Sequence, residues 1–205
     1  MIKFWKTTDE YGYLSNFSNH PVEIDGKIWK TTEHYYQAMK FLDEESQEKV
    51  RAAKSPKQSK EVAYSLEGFR EDWEDVKYGI MIKALREKAG QYDFIEAMLI
   101  DSGSEELAED SPYDPVWGLG KDGTGQNLLG KAWMQIRSEV ADDAKSSYKT
   151  VRIRAEYQNQ IEEALQEAED NGYAIKSIFP IVYTEKKLGQ ILTTTDILII
   201  TRKRL

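Results

Sequence analysis

Trp29 to Phe41, WKTTEHYYQAMKF, decides how the rest of the chain is read. The hydroxyl of Thr31 or Thr32 is suited to cap a first helical turn, which sets Glu33 at the first or second helical position. Tyr36, Ala38, Met39 and Phe41 supply apolar surface, so the helix is not polar all round. Glu33, Gln37 and Lys40 follow at i, i+4 and i+7 and share one face. A carboxylate, an amide and an amine in a row beside aromatic rings suit a pocket wall; a solvated charged stripe is the plainer reading. The positive end of the helix favours ionised Glu33, which suits it to act as a base.

Working outward, Val22-Glu23-Ile24 and Lys27-Ile28-Trp29 alternate around Asp25-Gly26, the pattern of a β-hairpin feeding this helix. Residues 9–21, DEYGYLSNFSNHP, read as a loop. Its Ser15, Asn16 and Phe17 place a hydroxyl and an amide beside an aromatic face, a set suited to a sugar or a base, although ordinary turn chemistry uses the same residues. Ile2 to Trp5 reads as a strand. Residues 43–55 form a charged helix that includes Arg51, and Ser55-Pro56 opens another. From Glu71 to Lys88, Trp73, Ile80, Ala84 and Leu85 recur at helical spacing, so Trp73 is most simply a core residue and, second, a stacking wall. A shorter helix covers Asp93 to Ile100.

DSPYDPVWGLGKDGTGQNLLGKAWMQIR, residues 110–137, carries glycines at 118, 120, 123 and 125. Asn127 and Gly130 then open an amphipathic helix. Closely spaced glycines let backbone N–H groups approach a ligand, and a helix start beyond them favours an anion. The stretch is neither a Walker A sequence nor a Rossmann fingerprint, lacking the Lys-Ser/Thr ending and a recognisable preceding strand. A long flexible connection is the competing reading.

Composition narrows the class. With 205 residues, 40% hydrophobic and 11% aromatic, the chain holds enough apolar surface for a folded core. A formal charge of −8 argues against a surface built to coat nucleic acid or acidic membranes, while leaving room for a local basic pocket. There is no cysteine and there are only two histidines, so thiol catalysis is excluded and a zinc site is not expected. The chain shows neither a membrane span nor a signal-peptide core, and a cytoplasmic protein is expected. Residues 145–205 hold 10 Lys+Arg against 8 Asp+Glu, a net +2, which leaves −10 for the rest. This shift marks a domain boundary, with one domain at 1–144 and a second at 148–205.

Five segments in this order resemble the YbiA-like family, also called the NADAR (NAD and ADP-ribose) superfamily, over residues 2–140. They are SNF at 15–17, DGKIW-x-T-x-EHYYQAMKF at 25–41, the Trp of EDWEDVKYGIM at 71–81, S-x-x-D-x-x-WG-x-G at 111–120, and G-x-G-x-N-x-LG-x-x-x-M-x-x-R at 123–137. The resemblance implies cleavage of N-glycosidic bonds to ribose, in phosphoribosylamino-pyrimidines of the riboflavin pathway or in ADP-ribosylated guanine. It implicates Glu33 as the central catalytic carboxylate, with Lys40 and Asp114 beside it and Trp73 and Trp117 as the aromatic positions. Ser15, Asn16, Phe17, Arg51, Gly118, Gly120 and Asn127 complete the candidate substrate contacts. Two departures stand out: Leu119 where close relatives have Asp, and Trp133 where the family pattern has Leu.

The chemistry is consistent with that set. Breaking a ribose–base bond builds positive charge on the anomeric carbon and negative charge on the base; a fixed carboxylate stabilises the first and can activate water. Stacking tryptophans orient base and sugar, and backbone amides or Arg51 hold a phosphate. Lys40 either attacks the aldehyde of a ring-opened ribosylamine to form an imine or balances the charge of Glu33. No cofactor and no metal are expected. The expected fold is α+β: a predominantly helical first domain with a short hairpin, then a small β-α-β-β domain over 148–205. Its uncovered sheet face suits homo-oligomer assembly. The expected partner is a substrate containing ADP-ribose or ribose phosphate, free or carried on nucleic acid, and no membrane. The alternative is a binding module that senses ADP-ribose or a nucleotide without turning it over.

Overall fold

The structure is a computed structural model describing residues 1–144, 148–154, 158–187 and 190–203. It divides into two compact units, Met1–Ile95 with Glu105–Ile136, and Glu96–Ser104 with Arg137–Leu205. Residues 145–147, inside the boundary drawn from sequence, lie outside the described residues.

The hairpin forms as its sequence dictates. Strands β1 (Ile2–Phe4), β2 (Val22–Ile24) and β3 (Lys27–Trp29) are short, and β2 pairs antiparallel with β3. Asp25 and Gly26 both take positive φ, as a two-residue type I′ turn requires. Helix α1 (Thr32–Ala38) follows, capped by the Thr31 hydroxyl, which accepts from the His34 N–H. All seven residues of α1 are buried, and Tyr35 and Ala38 join Val22, Ile24, Trp29, Phe41 and Val50 in one apolar cluster.

The helix is shorter than its sequence pattern suggests. It ends at Ala38 with Met39 as its C-cap, so Lys40 stands in the following turn and not on the helical face. The Lys40 carbonyl accepts from the Arg70 N–H at 2.7 Å, which commits this backbone to another segment. Helices α2 (Glu44–Arg51), capped by Asp43, and α3 (Pro56–Ser65), capped by Ser55, match their start signals. Helix α4 (Trp73–Gln91) buries Met81, Ile82, Ala84, Leu85, Lys88 and Ala89, and α5 spans Asp93–Asp101.

One element escaped the sequence reading. Strand β4 (Leu107–Glu109) pairs in parallel with β1, matching Phe4 with Glu109. A strand therefore does precede the glycine-rich loop. Its three residues in the run EELAED show no periodicity, and its partner lies a hundred residues away. Helix α6 (Leu128–Ala144) follows the loop.

The tail has the expected β-α-β-β order: β5 (Tyr148–Arg154), α7 (Gln158–Asp170), β6 (Tyr173–Lys187) and β7 (Gln190–Lys203). The sheet is antiparallel with order β5-β7-β6 and a register shift between Ile175 and Ser177. Residues 155–157, within the span expected for this domain, lie outside the described residues. Among the described residues no helix is long and apolar enough to cross a membrane.

Candidate active site

Helix α1 meets the 15–17 loop at its N-terminus. The Asn16 carbonyl accepts from the Glu33 N–H at 3.2 Å, satisfying one of the amides that a helix start leaves unpaired. The Asn16 side chain accepts from Thr32 Oγ1 at 3.0 Å, and its amide lies 3.3 Å from Met81 Sδ. Ser15 Oγ accepts from the Phe17 N–H. Much of the hydrogen-bonding capacity assigned from sequence to a substrate thus builds the loop itself. Lys88 anchors it from below, donating to the carbonyls of Tyr13 and Ser15 and to Ser18 Oγ. Burial pushes the Lys88 amine down to about 7, while three acceptors around Nζ favour the ammonium. The signal for this residue was its place on the buried stripe of α4, one turn beyond Ala84 and Leu85.

Above the loop lies a cavity of about 700 Å³, within the size range of small-molecule sites. Glu33, Glu109 and Asp114 supply its carboxylates, with Glu74 exposed and paired with Lys77; Lys6, Lys40, Lys60 and Lys77 supply amines; Tyr36, Tyr64, Trp73 and Trp117 supply ring walls. Tyr36 packs between the tryptophans, its ring centroid 5.0 Å from Trp73 and 5.4 Å from Trp117. Trp73 is therefore a wall residue first, the second of its two sequence readings.

Glu33 is only 7% exposed, and Gln37 Nε2 donates to its Oε1 at 2.8 Å. Burial raises its pKa, opposed by the Gln37 bond and by the charges of Lys60 and Lys40. The helix-start expectation of an easily ionised carboxylate is thus corrected: loss of water outweighs it. Gln37 Oε1 is buried and has no hydrogen-bond partner among the described residues. Glu109, which the sequence reading missed, is pushed up to about 8 by burial and then by the neighbouring charges of Asp114 and Glu33.

Lys40 reaches the cavity from its turn. Its Nζ sits 4.0 Å from the Tyr64 ring centroid, 5.2 Å from Phe69 and 5.7 Å from Trp73, a cation–π cage. Burial lowers its pKa, and Glu33 acts on it only after burial and Tyr64. Burial shifts this amine toward its neutral form, the form that attacks a carbonyl, while Tyr64 and Glu33 oppose the shift. Lys40→Met is expected to stay folded and to lose about tenfold or more in turnover. If Lys40 acts through an imine, borohydride added during wild-type turnover traps a ribose-derived mass on it; direct attack by water leaves none. Retained activity without an adduct would reduce Lys40 to charge balance.

The glycine-rich loop serves structure more than anion binding. Asp114 Oδ1 accepts from the N–H groups of Val116 and Trp117 at 2.9 and 2.8 Å, turning the chain so that Trp117 lines the cavity. A Cβ on Gly118 would come within 2.8 Å of the Glu109 carbonyl, and Gly120 has φ +68°. Asn127, at φ +53°, accepts from the Glu109 N–H at 3.0 Å and donates to the Leu107 carbonyl at 2.9 Å.

The structure therefore gathers Ser15, Asn16, Phe17, Glu33, Lys40, Trp73, Asp114 and Trp117 around one cavity. Gly118, Gly120 and Asn127 stand behind its wall, and Arg51 lies outside the lining, held by Glu48 and the Ile28 carbonyl. Leu119 is not a lining residue. Trp133 is fully buried with its Nε1–H on the Leu14 carbonyl at 2.8 Å, so this departure repacks the core. Among the described residues no cluster of His, Cys, Asp or Glu is arranged to hold a metal ion.

The NADAR domain model matches residues 3–141. The chain is 40% identical over 142 residues to N-glycosidase YbiA of Escherichia coli (strain K12), covering 69% of this chain and 89% of that protein. It is 36% identical over 163 residues to the riboflavin biosynthesis protein PYRR, chloroplastic, of Zea mays, covering 72% of this chain and 26% of that protein. The NMR structure of E. coli YbiA superposes with a TM-score of 0.66 at 39% identity, covering 70% of this chain and 86% of that one.

Proposed function

The chain belongs to the NADAR family, and from that premise we propose that it is an N-glycosidase hydrolysing the bond between ribose and a nitrogenous base. The observation that carries this reading is Glu33: a buried carboxylate, fixed by Gln37 and the Asn16 carbonyl, facing a cavity with aromatic walls. A relative named as an N-glycosidase supports it.

In this mechanism the tryptophans and Tyr36 orient base and sugar, and Glu33 faces the anomeric carbon. As the C–N bond lengthens, the carboxylate stabilises the oxocarbenium-like charge and accepts a proton from the attacking water. Gln37 holds the Glu33 carboxylate in place through its Nε2 donor. Lys6 and Lys60 supply positive charge suited to a phosphate or diphosphate, while Lys77 is paired with Glu74. The finer proposal is an ADP-ribosyl group on guanine, with a phosphoribosylamino-pyrimidine as the second candidate.

Leu119, standing where close relatives have a carboxylate, is the departure that leaves room for a sensor, and it lies outside the cavity lining. The test is incubation of the protein with ADP-ribosyl-guanosine, NAD and the riboflavin-pathway intermediates, followed by mass spectrometry. Release of guanosine together with ADP-ribose is expected from the first of these. Ligand binding without release from any substrate would select the sensor.

A further inference from the structure

Glu109 has a place in the cavity that hydrolysis by Glu33 alone leaves unused. Its backbone is fixed on both sides: the N–H donates to Asn127 Oδ1 at 3.0 Å and the carbonyl accepts from the Leu119 N–H at 2.8 Å. Its side chain lines the cavity with Glu33 and Asp114. Glu33 and Glu109 cannot both ionise cheaply in the same cavity. Glu33 has the Gln37 amide donor and the charges of Lys60 and Lys40 in its favour. Among the described residues Lys60 is the one favourable charge on Glu109, set against Glu33 and Asp114, and no donor reaches its carboxyl.

We propose that Glu109 is the catalytic acid of this site, a protonated carboxyl that delivers its proton to the departing base nitrogen while ionised Glu33 serves the anomeric carbon. This deepens the N-glycosidase reading and rests on it. The step balances. The C1′–N bond breaks with its electron pair going to nitrogen, and the Glu109 proton moves to that nitrogen. Water adds to C1′ and loses its proton to Glu33, and proton exchange through solvent returns the pair to its starting state. One carboxyl held by an amide donor and a second without a donor, in the same cavity, form an arrangement suited to run acid and base chemistry together. Asn127 and Gly118, behind the wall, are then positioning residues for the acid.

A thermodynamic signature accompanies the proton. A carboxyl whose folded pKa is about 8 binds a proton more tightly folded than unfolded. Stability is then lost as pH rises from the ordinary glutamate range to about 8. Glu109→Gln removes that loss, so its Tm advantage over wild type should grow across this window and level off above it.

The experiment compares wild type, Glu109→Gln and Glu33→Gln on ADP-ribosyl-guanosine and on nicotinamide riboside, whose nicotinamide departs neutral without needing a proton. Melting curves from pH 5 to 9 accompany the rates. Glu109→Gln should lose about 100-fold on the guanosine substrate and only a few-fold on nicotinamide riboside, and its rate should lose the alkaline limb near pH 8. Glu33→Gln should lose on both. Equal losses on both substrates for Glu109→Gln, or a Tm difference that does not change with pH, would overturn the assignment. If wild type cleaves neither of these nor NAD nor a riboflavin-pathway intermediate, the glycosidase reading fails and the catalytic role falls with it. The melting curves then still report whether Glu109 holds its proton.

Discussion

Glu33→Gln is expected to abolish most turnover, on the order of a 1,000-fold loss in kcat, while ligand affinity stays within about threefold. The substitution is nearly isosteric. The new side-chain amide can turn its carbonyl toward the Gln37 Nε2 donor, so the bond that now holds Glu33 at 2.8 Å has a replacement. Removing the charge costs the fold nothing, because burial already disfavours the carboxylate. The variant should therefore melt no lower than wild type. What it loses is negative charge facing the anomeric carbon and a proton acceptor for water. The raised pKa also predicts an acid limb in the wild-type rate: activity falls as Glu33 gains a proton, at a pH above the usual glutamate range. A Glu33→Gln variant with near-wild-type kcat would remove Glu33 from the mechanism. Loss of binding in place of kcat would leave it a ligand contact.

What was legible in the sequence follows from range. The hairpin and the starts of α1, α2 and α3 are local, fixed by Asp25-Gly26, Thr31, Asp43 and Ser55, and each stood where its signal put it. Glu33 was legible for the same reason. The differences mostly involve distant partners. Lys40 was placed on the helix because nothing local shows that its carbonyl bonds to Arg70. Arg51 lies outside the cavity lining; its pairing with Glu48, one turn back on α2, is local, while its bond to the Ile28 carbonyl is a matter of packing. Glu109 was invisible, since β4 exists only through its pairing with β1. The field of the helix start likewise pointed to an easily ionised Glu33, and only the burial of all of α1 shows that desolvation wins.

Gly130→Ala should be the most damaging single-methyl change in the site's scaffold, destabilising by about 4 kcal/mol or more. Glycine here is required by contact. A Cβ would overlap the Leu107 carbonyl oxygen and come within 2.5 and 2.6 Å of the Asn127 side-chain amide. The first of these is backbone of β4 and cannot swing aside. The second carries the two bonds that hold β4, to the Glu109 N–H and the Leu107 carbonyl. Helix α6 would have to move off the strand, and the buried amide groups would lose their partners. Because Glu109 ends that strand, damage at Gly130 should reach the cavity although Gly130 does not line it. Gly123→Ala is the control: it sits in the same loop at φ +76° with nothing near its Cβ, so it should carry only a backbone-strain cost of about 1–2 kcal/mol. Denaturant melts of the two variants decide the matter. Equal, small losses would mean that the loop and α6 relax away from β4, and that the strand does not depend on Asn127 and Gly130 for its position.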